Sequence, residues 1–134
     1  MAESFEVKSA DGTERVELKA VSRGFIAVSV AGANLSASAD VAHIGGGDGL
    51  SGYWADLAKS WRGWSGEKTW QSLEGDLAFS ATSDRTGHVR LRVTLAYGAP
   101  WRWQTEVVLA VEAGQLEGLA AAALAFGRHL GAPA

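Results

Sequence analysis

Apolar residues recur along the chain at two spacings, and the changes of spacing divide it into elements. Phe5–Lys8 and Arg15–Ala20 alternate in polarity on either side of Asp11-Gly12, which predicts a hairpin. Val16, Leu18 and Ala20 then face a core, while Arg15, Glu17 and Lys19 face water. Gly24 opens a third strand with Ile26, Val28 and Val30 on one face, and Gly32-Ala33-Asn34 turns the chain back. Leu35–Ile44 continues as a fourth strand whose Ser/Ala run makes a poor apolar face, as suits a sheet edge or a strand tucked under a helix. After Gly45–Gly49 (GGGDG), a linker, the period lengthens. Leu50, Tyr53, Trp54, Leu57, Ala58 and Trp61 recur at steps of three and four, which predicts a helix over Leu50–Arg62.

Asp48 or Ser51 is placed to cap that helix, and Gly63 stands where a left-handed terminating residue is wanted. Trp54 and Trp61 are on its stripe and are expected in the core. The two-residue period then returns. Leu73, Gly75, Leu77, Phe79 and Ala81 share one face, Asp84–Gly87 turns, and His88–Leu95 comes back with Val89, Leu91, Val93 and Leu95 inward and Arg90 and Arg92 outward. A further strand spans Trp101–Glu112, and an amphipathic helix from Gln115 to Leu130 carries Leu116, Leu119, Ala123, Phe126 and Leu130 on one side. The order is four strands, a helix, three strands, a helix. Short connections make neighbouring strands antiparallel, so the expected fold is a single α+β domain over 1–134, with one sheet of about seven strands covered by two helices.

Composition changes this picture little. A chain of 134 residues with 47% hydrophobic and 20% charged residues builds one ordinary core. The net charge of −3, with both signs interspersed, favours neither nucleic acid nor an anionic membrane. The absence of cysteine removes disulfide and thiolate chemistry. The first residues have no charged-then-apolar leader pattern and no apolar run reaches membrane-spanning length, so the cytoplasm is the default expectation.

Candidate chemistry is sparse. His43, His88 and His129 lack the spacing of a metal site, and Gly-x-Ser-x-Gly is absent. The glycine-rich linker lacks the Lys-Ser/Thr ending of a phosphate loop, and its Asp48 would repel an anion. Asp40, Asp48 and Asp56 are the carboxylates whose convergence would have to be checked in space. Arg90 and Arg92, joined by Arg102, read as a solvated face paired with carboxylates such as Glu74, Asp76 or Glu106. The expectation is therefore no catalytic residue, no metal and no cofactor. Trp64, Trp70 and Trp101 stand at element boundaries, where aromatic rings are candidates for a binding surface. Arg62, Trp64, Trp70 and Glu74, gathered in sequence where the tryptophan helix stops and the next strand begins, are the candidate partner-binding residues.

WADLAKSWRGW, the following W-QSLEGDLAFSATSD and GHVRLRVTL resemble a bacterial family of unknown function marked by WRGW, W-x-SLEG and GHV-x-L-x-V-x-L. The resemblance covers Trp54–Leu95. More distantly, the order of elements is similar to that of WapI-type immunity proteins, cytosolic antitoxins that bind and block a toxin domain. That likeness implies a non-enzymatic protein-binding domain with a protein partner, a toxin domain among the candidates. The alternative is a small-ligand-binding domain with a tryptophan-lined pocket between sheet and helix.

Overall fold

The computed structural model describes residues 3–22, 24–44, 47–84, 86–98 and 101–131. Gly45 and Gly46 of the expected linker, and the last three residues of the tail, lie outside them. The first four strands follow the alternation closely: β1 Ser4–Lys8, β2 Arg15–Ser22, β3 Phe25–Gly32 and β4 Leu35–Ala42 form an antiparallel meander in that spatial order. Val21 is an extra residue in β2, since Ala20 pairs with Ile26 and Ser22 with Phe25. The Ser/Ala strand β4 is an edge strand, one of the two placements that its thin apolar face suits.

Helix α1 spans Leu50–Lys59 and stops three residues before the expected end at Arg62. The Ser60 amide is shared between the carbonyls of Asp56 and Leu57, and Gly63 bonds back to Ser60. Gly63 has φ +116°, a conformation open to glycine, and it turns the chain so that Trp64 enters the core. Trp61 is consequently left outside, 54% exposed, contrary to its expected core position. Trp64, 9% exposed, is buried instead, its indole N–H donating to the Ala81 carbonyl at 3.1 Å.

The second half differs from expectation in strand number. A short strand β5, Lys68–Gln71, precedes β6 Leu77–Ser83, β7 His88–Tyr97 and β8 Trp103–Glu112. These four make a second antiparallel sheet, so the architecture is two four-stranded sheets and not one sheet of seven strands. Four residues between glycine-bearing turns are too few for a periodic signal, which hid β5. Leu73 and Gly75 lie in the β5–β6 turn instead of on a strand face. Leu73 is half exposed, and Gly75 takes φ +77°. The register of the β6–β7 hairpin agrees residue by residue with the expectation: Leu77, Phe79, Val89, Leu91 and Val93 are buried, while Arg90 and Arg92 are exposed. A single 3-10 turn, Ala113–Gln115, leads into helix α2, Leu116–Gly131.

The sheets approach each other where β4 lies against β7 and β3 against β8. At the β1–β2 turn they are joined by hydrogen bonds, Ala10 N–H to the Ala110 carbonyl (2.7 Å) and Ala110 N–H to Ser9 Oγ (3.0 Å). Helices α1 and α2 pack together and complete one continuous core. At its centre Trp54, 1% exposed, meets Phe5, Tyr53 and Phe79 edge-on at 5.5–6.0 Å, and Phe126 stacks on Phe5 at 6.5 Å. A strap runs outside α1: Tyr53 donates to the Lys68 carbonyl (2.9 Å), and Lys68 Nζ pairs with Asp56 (2.9 Å). Burial, then the charge of Asp56, pushes the Tyr53 phenol well above its ordinary range.

Trp54→Ala is expected to cost about 3–5 kcal/mol, because a buried ring shared by both sheets is lost. Trp61→Ala, by contrast, is expected to stay within about 1 kcal/mol of the native protein, since its ring is exposed, with the Arg62 guanidinium 5.1 Å from its centroid. Denaturant unfolding of the two variants measures the contrast.

The β6–β7 turn gives a pH-dependent prediction. Bonds from the Thr86 amide and side chain, and then from His88, hold the Asp84 carboxyl down at about 2 from its ordinary 3.8. Its contribution is full above the unfolded value and lost as pH falls toward about 2. A titration of the Asp84 side chain by NMR should show its midpoint near 2 and the Thr86 amide moving with it.

Candidate functional site

Asp48 is the residue around which the surface loops are organised. It precedes α1 with φ +59° and makes no side-chain cap; Gly49 is the N-cap. Its carboxylate accepts the Ile44 amide at 2.8 Å and, across the molecule, the Leu73 amide at 2.9 Å. Its carbonyl accepts the indole N–H of Trp70 at 2.9 Å. One residue thus ties the end of β4 to the β5–β6 turn at the start of α1, where the helix dipole favours a negative charge.

The ties continue in both directions. Toward the first sheet, Ala42 pairs with Phe25, and the His43 amide bonds to the Gly24 carbonyl at 2.9 Å. Toward the second, Ser72 Oγ donates to Asp76 (2.7 Å), and the Asp76 carbonyl accepts the Ala96 amide (2.9 Å) beside Tyr97. The β2–β3 turn, the loop before α1, the β5–β6 turn and the β7–β8 turn therefore form one end of the molecule. Among the described residues, six of the eight exposed large hydrophobic side chains are here: Val21, Phe25, Ile44, Leu73, Tyr97 and Trp101. Tyr97 stacks on Trp103 at 5.8 Å with an interplanar angle of 19°. Glu74 and Arg102 supply exposed charge among these rings.

The four residues gathered in sequence are divided by this arrangement. Trp70 and Glu74 lie at the loop end beside Asp48, Trp70 half-buried against Phe79 at 5.2 Å and Glu74 exposed. Arg62 and Trp64 follow the opposite end of α1, about 15 Å away along the helix. Arg62 is exposed, whereas Trp64 is a core residue and offers no surface. The reason is the early helix end, which reverses the chain so that β5 runs back along α1. Trp101, which lies at the loop end, was legible as a boundary aromatic. Leu73 and Ile44 gave no such signal, since each reads as an ordinary strand residue until the turns are seen, and Tyr97 fell between two expected strands with nothing to mark it.

Other candidate groups do not converge. Asp40 is on the outer face of the first sheet, Asp48 and Asp56 are toward opposite ends of α1, and Asp56 is engaged by Lys68. Arg92 pairs with Glu67 (3.6 Å) and Glu106 (3.7 Å), the solvated face expected of it. Arg102 does not join it, lying in the β7–β8 turn about 20 Å along the strand. His88 Nδ1 meets Asp84 at 3.1 Å and its Nε2 meets Glu112 at 3.7 Å. Among the described residues, no three His, Asp or Glu side chains are grouped to hold a metal, and no helix is long and apolar enough to cross a membrane. A shallow cleft of about 370 Å³ lies on the outer face of the first sheet, over Ala27 and Ser29 and between Glu17, Lys19, Ser38 and Asp40.

The chain belongs to a family of unknown function, DUF6228, whose model matches residues 9–129. The match runs from β2 to nearly the end of α2 and leaves out β1, so the Asp48-centred loop end lies wholly within the family domain. No curated protein matches the chain.

Asp48→Ala is expected to destabilise the protein by about 1–2 kcal/mol, since two backbone amides lose a charged acceptor. The Ile44 and Leu73 amides should exchange with solvent faster, and the amides of β7 should be unchanged. Amide hydrogen exchange read by NMR tests both statements.

Proposed function

For this DUF6228 chain we propose a non-enzymatic, protein-binding role carried by the loop end around Asp48. The observation that carries it is the gathering of Phe25, Ile44, Leu73, Tyr97 and Trp101 at one end, held by backbone and carboxylate hydrogen bonds. Exposed aromatic and aliphatic side chains on an ordered frame, with Glu74 and Arg102 among them, have the composition of an interface centre. Ordering before binding matters because a partner then pays little entropy to seat its own side chains against them. A tryptophan-lined ligand pocket between helix and sheets is less well supported: the rings of Phe5, Tyr53, Trp54 and Phe79 already fill that space with mutual contacts.

The narrower role, an immunity-like inhibitor in the cytoplasm, rests on the similarity of element order to WapI-type immunity proteins. It makes the partner a toxin domain.

Trp101→Ala and Leu73→Ser are expected to leave the unfolding midpoint close to native and to weaken partner binding by about 2 kcal/mol each. A toxin domain of a contact-dependent system is the first class of partner to measure, by titration calorimetry. No binding to it ends the immunity role, and undiminished affinity in both variants moves the interface off this end.

A further inference from the structure

We propose that β4 is a self-association edge: two copies of the chain pair β4 with β4 antiparallel, about a two-fold axis at Ser38. The register of β3 and β4 shows which backbone groups are available. The His43 amide bonds to the Gly24 carbonyl, and in an antiparallel ladder every second pair is bonded in this way. The odd residues of β4 therefore bond to β3, and the amides and carbonyls of Ser36, Ser38, Asp40 and Ala42 point away from the sheet. Among the described residues, none bonds to them.

The other three edges are closed or guarded. β5 has four residues and is strapped by Tyr53. β8 is bonded at Ala110 by Ser9 and Ala10 and at Glu112 by Gln115. β1 has five residues, runs beside α2 and carries Glu6 and Lys8, which pair with each other at 3.8 Å. β4 has eight residues, regular pairing, no proline and no lysine. Such an edge is a template for a further strand.

The side chains choose the occupant. Toward the core side, Leu35, Ala37 and Ala39 are only partly buried, so an added strand should bring apolar residues there. Toward the outer face it should oppose Ser36, Ser38 and Asp40 without a second carboxylate. LSASADVA itself has this alternation. With the axis at Ser38, Ala37 meets the partner's Ala39, Leu35 meets the partner's Val41, and Asp40 meets the partner's Ser36, whose hydroxyl can donate to it. An axis at Asp40 would oppose two carboxylates, which disfavours that register. The pairing continues both first sheets into one of eight strands. It also sends the two loop ends in opposite directions, leaving both open.

Sedimentation equilibrium of the full chain, from micromolar to millimolar concentration, should show a species of twice the 14.0 kDa chain mass. Ser38→Pro removes an outward amide while sparing the ladder to β3, and it should weaken association about tenfold or more. Should that variant fail to fold, Ser38→Lys sets two ammonium groups across the axis and should also give monomer. A spin label at Ser38→Cys, a unique cysteine in this chain, should show dipolar broadening that unlabelled protein dilutes away. A monomer throughout, a dimer insensitive to both substitutions, or an unbroadened label in a dimer would each overturn the proposal.

Discussion

Burial of Trp54 is the constraint on which the rest of this structure depends. Two four-stranded sheets that meet where β3 and β4 lie against β8 and β7 leave a wedge that neither can fill, and α1 and α2 occupy it. Trp54 meets Phe5 from the first sheet and Phe79 from the second, so one side chain joins all the layers. Its indole N–H is buried and has no acceptor among the described residues, while its ring meets three others edge-on. Trp64 does the complementary work at the far end of α1, where its N–H closes on the Ala81 carbonyl. With both tryptophans inside, the chain must turn sharply after Lys59, and β5 is laid back along the helix.

That reversal determines what surface the protein offers. Running β5 antiparallel to α1 brings the β5–β6 turn to the start of the helix, within reach of Asp48. A loop that composition describes as a linker thereby becomes a joint between the two sheets. Its carboxylate holds two amides from segments far apart in sequence, and its carbonyl holds a tryptophan. The exposed apolar residues around it sit on turns of several strands, so they form a surface without sharing a motif. The outer sheet faces contrast with this. On them Glu6, Lys8, Arg15, Glu67, Arg92 and Glu106 pair with one another in water, each pair worth little.

How much was legible in the sequence follows from the range of each interaction. Alternation and helical spacing are local, and they determined the four-stranded meander, the β6–β7 register and both helices, while leaving β4 either at an edge or under a helix. Trp54 was readable as core because it lies mid-helix between apolar neighbours. Trp61 satisfied the same periodicity and was misplaced, because helix length was decided by Trp64 competing for the core through Gly63, an effect no spacing rule contains. β5 was invisible because four residues carry no period and its partner, β6, lies across a turn. One sheet or two was likewise open, since pairing within each meander says nothing about how the meanders meet. The loop end was the least legible feature of all. Its residues are strand ends and turns spread from Val21 to Trp101, and only the closing of Asp48 onto Ile44, Leu73 and Trp70 brings them together. Local patterning by itself determined the elements; the choice of surface belonged to the tertiary structure, because it depends on contacts between segments that share no sequence neighbourhood.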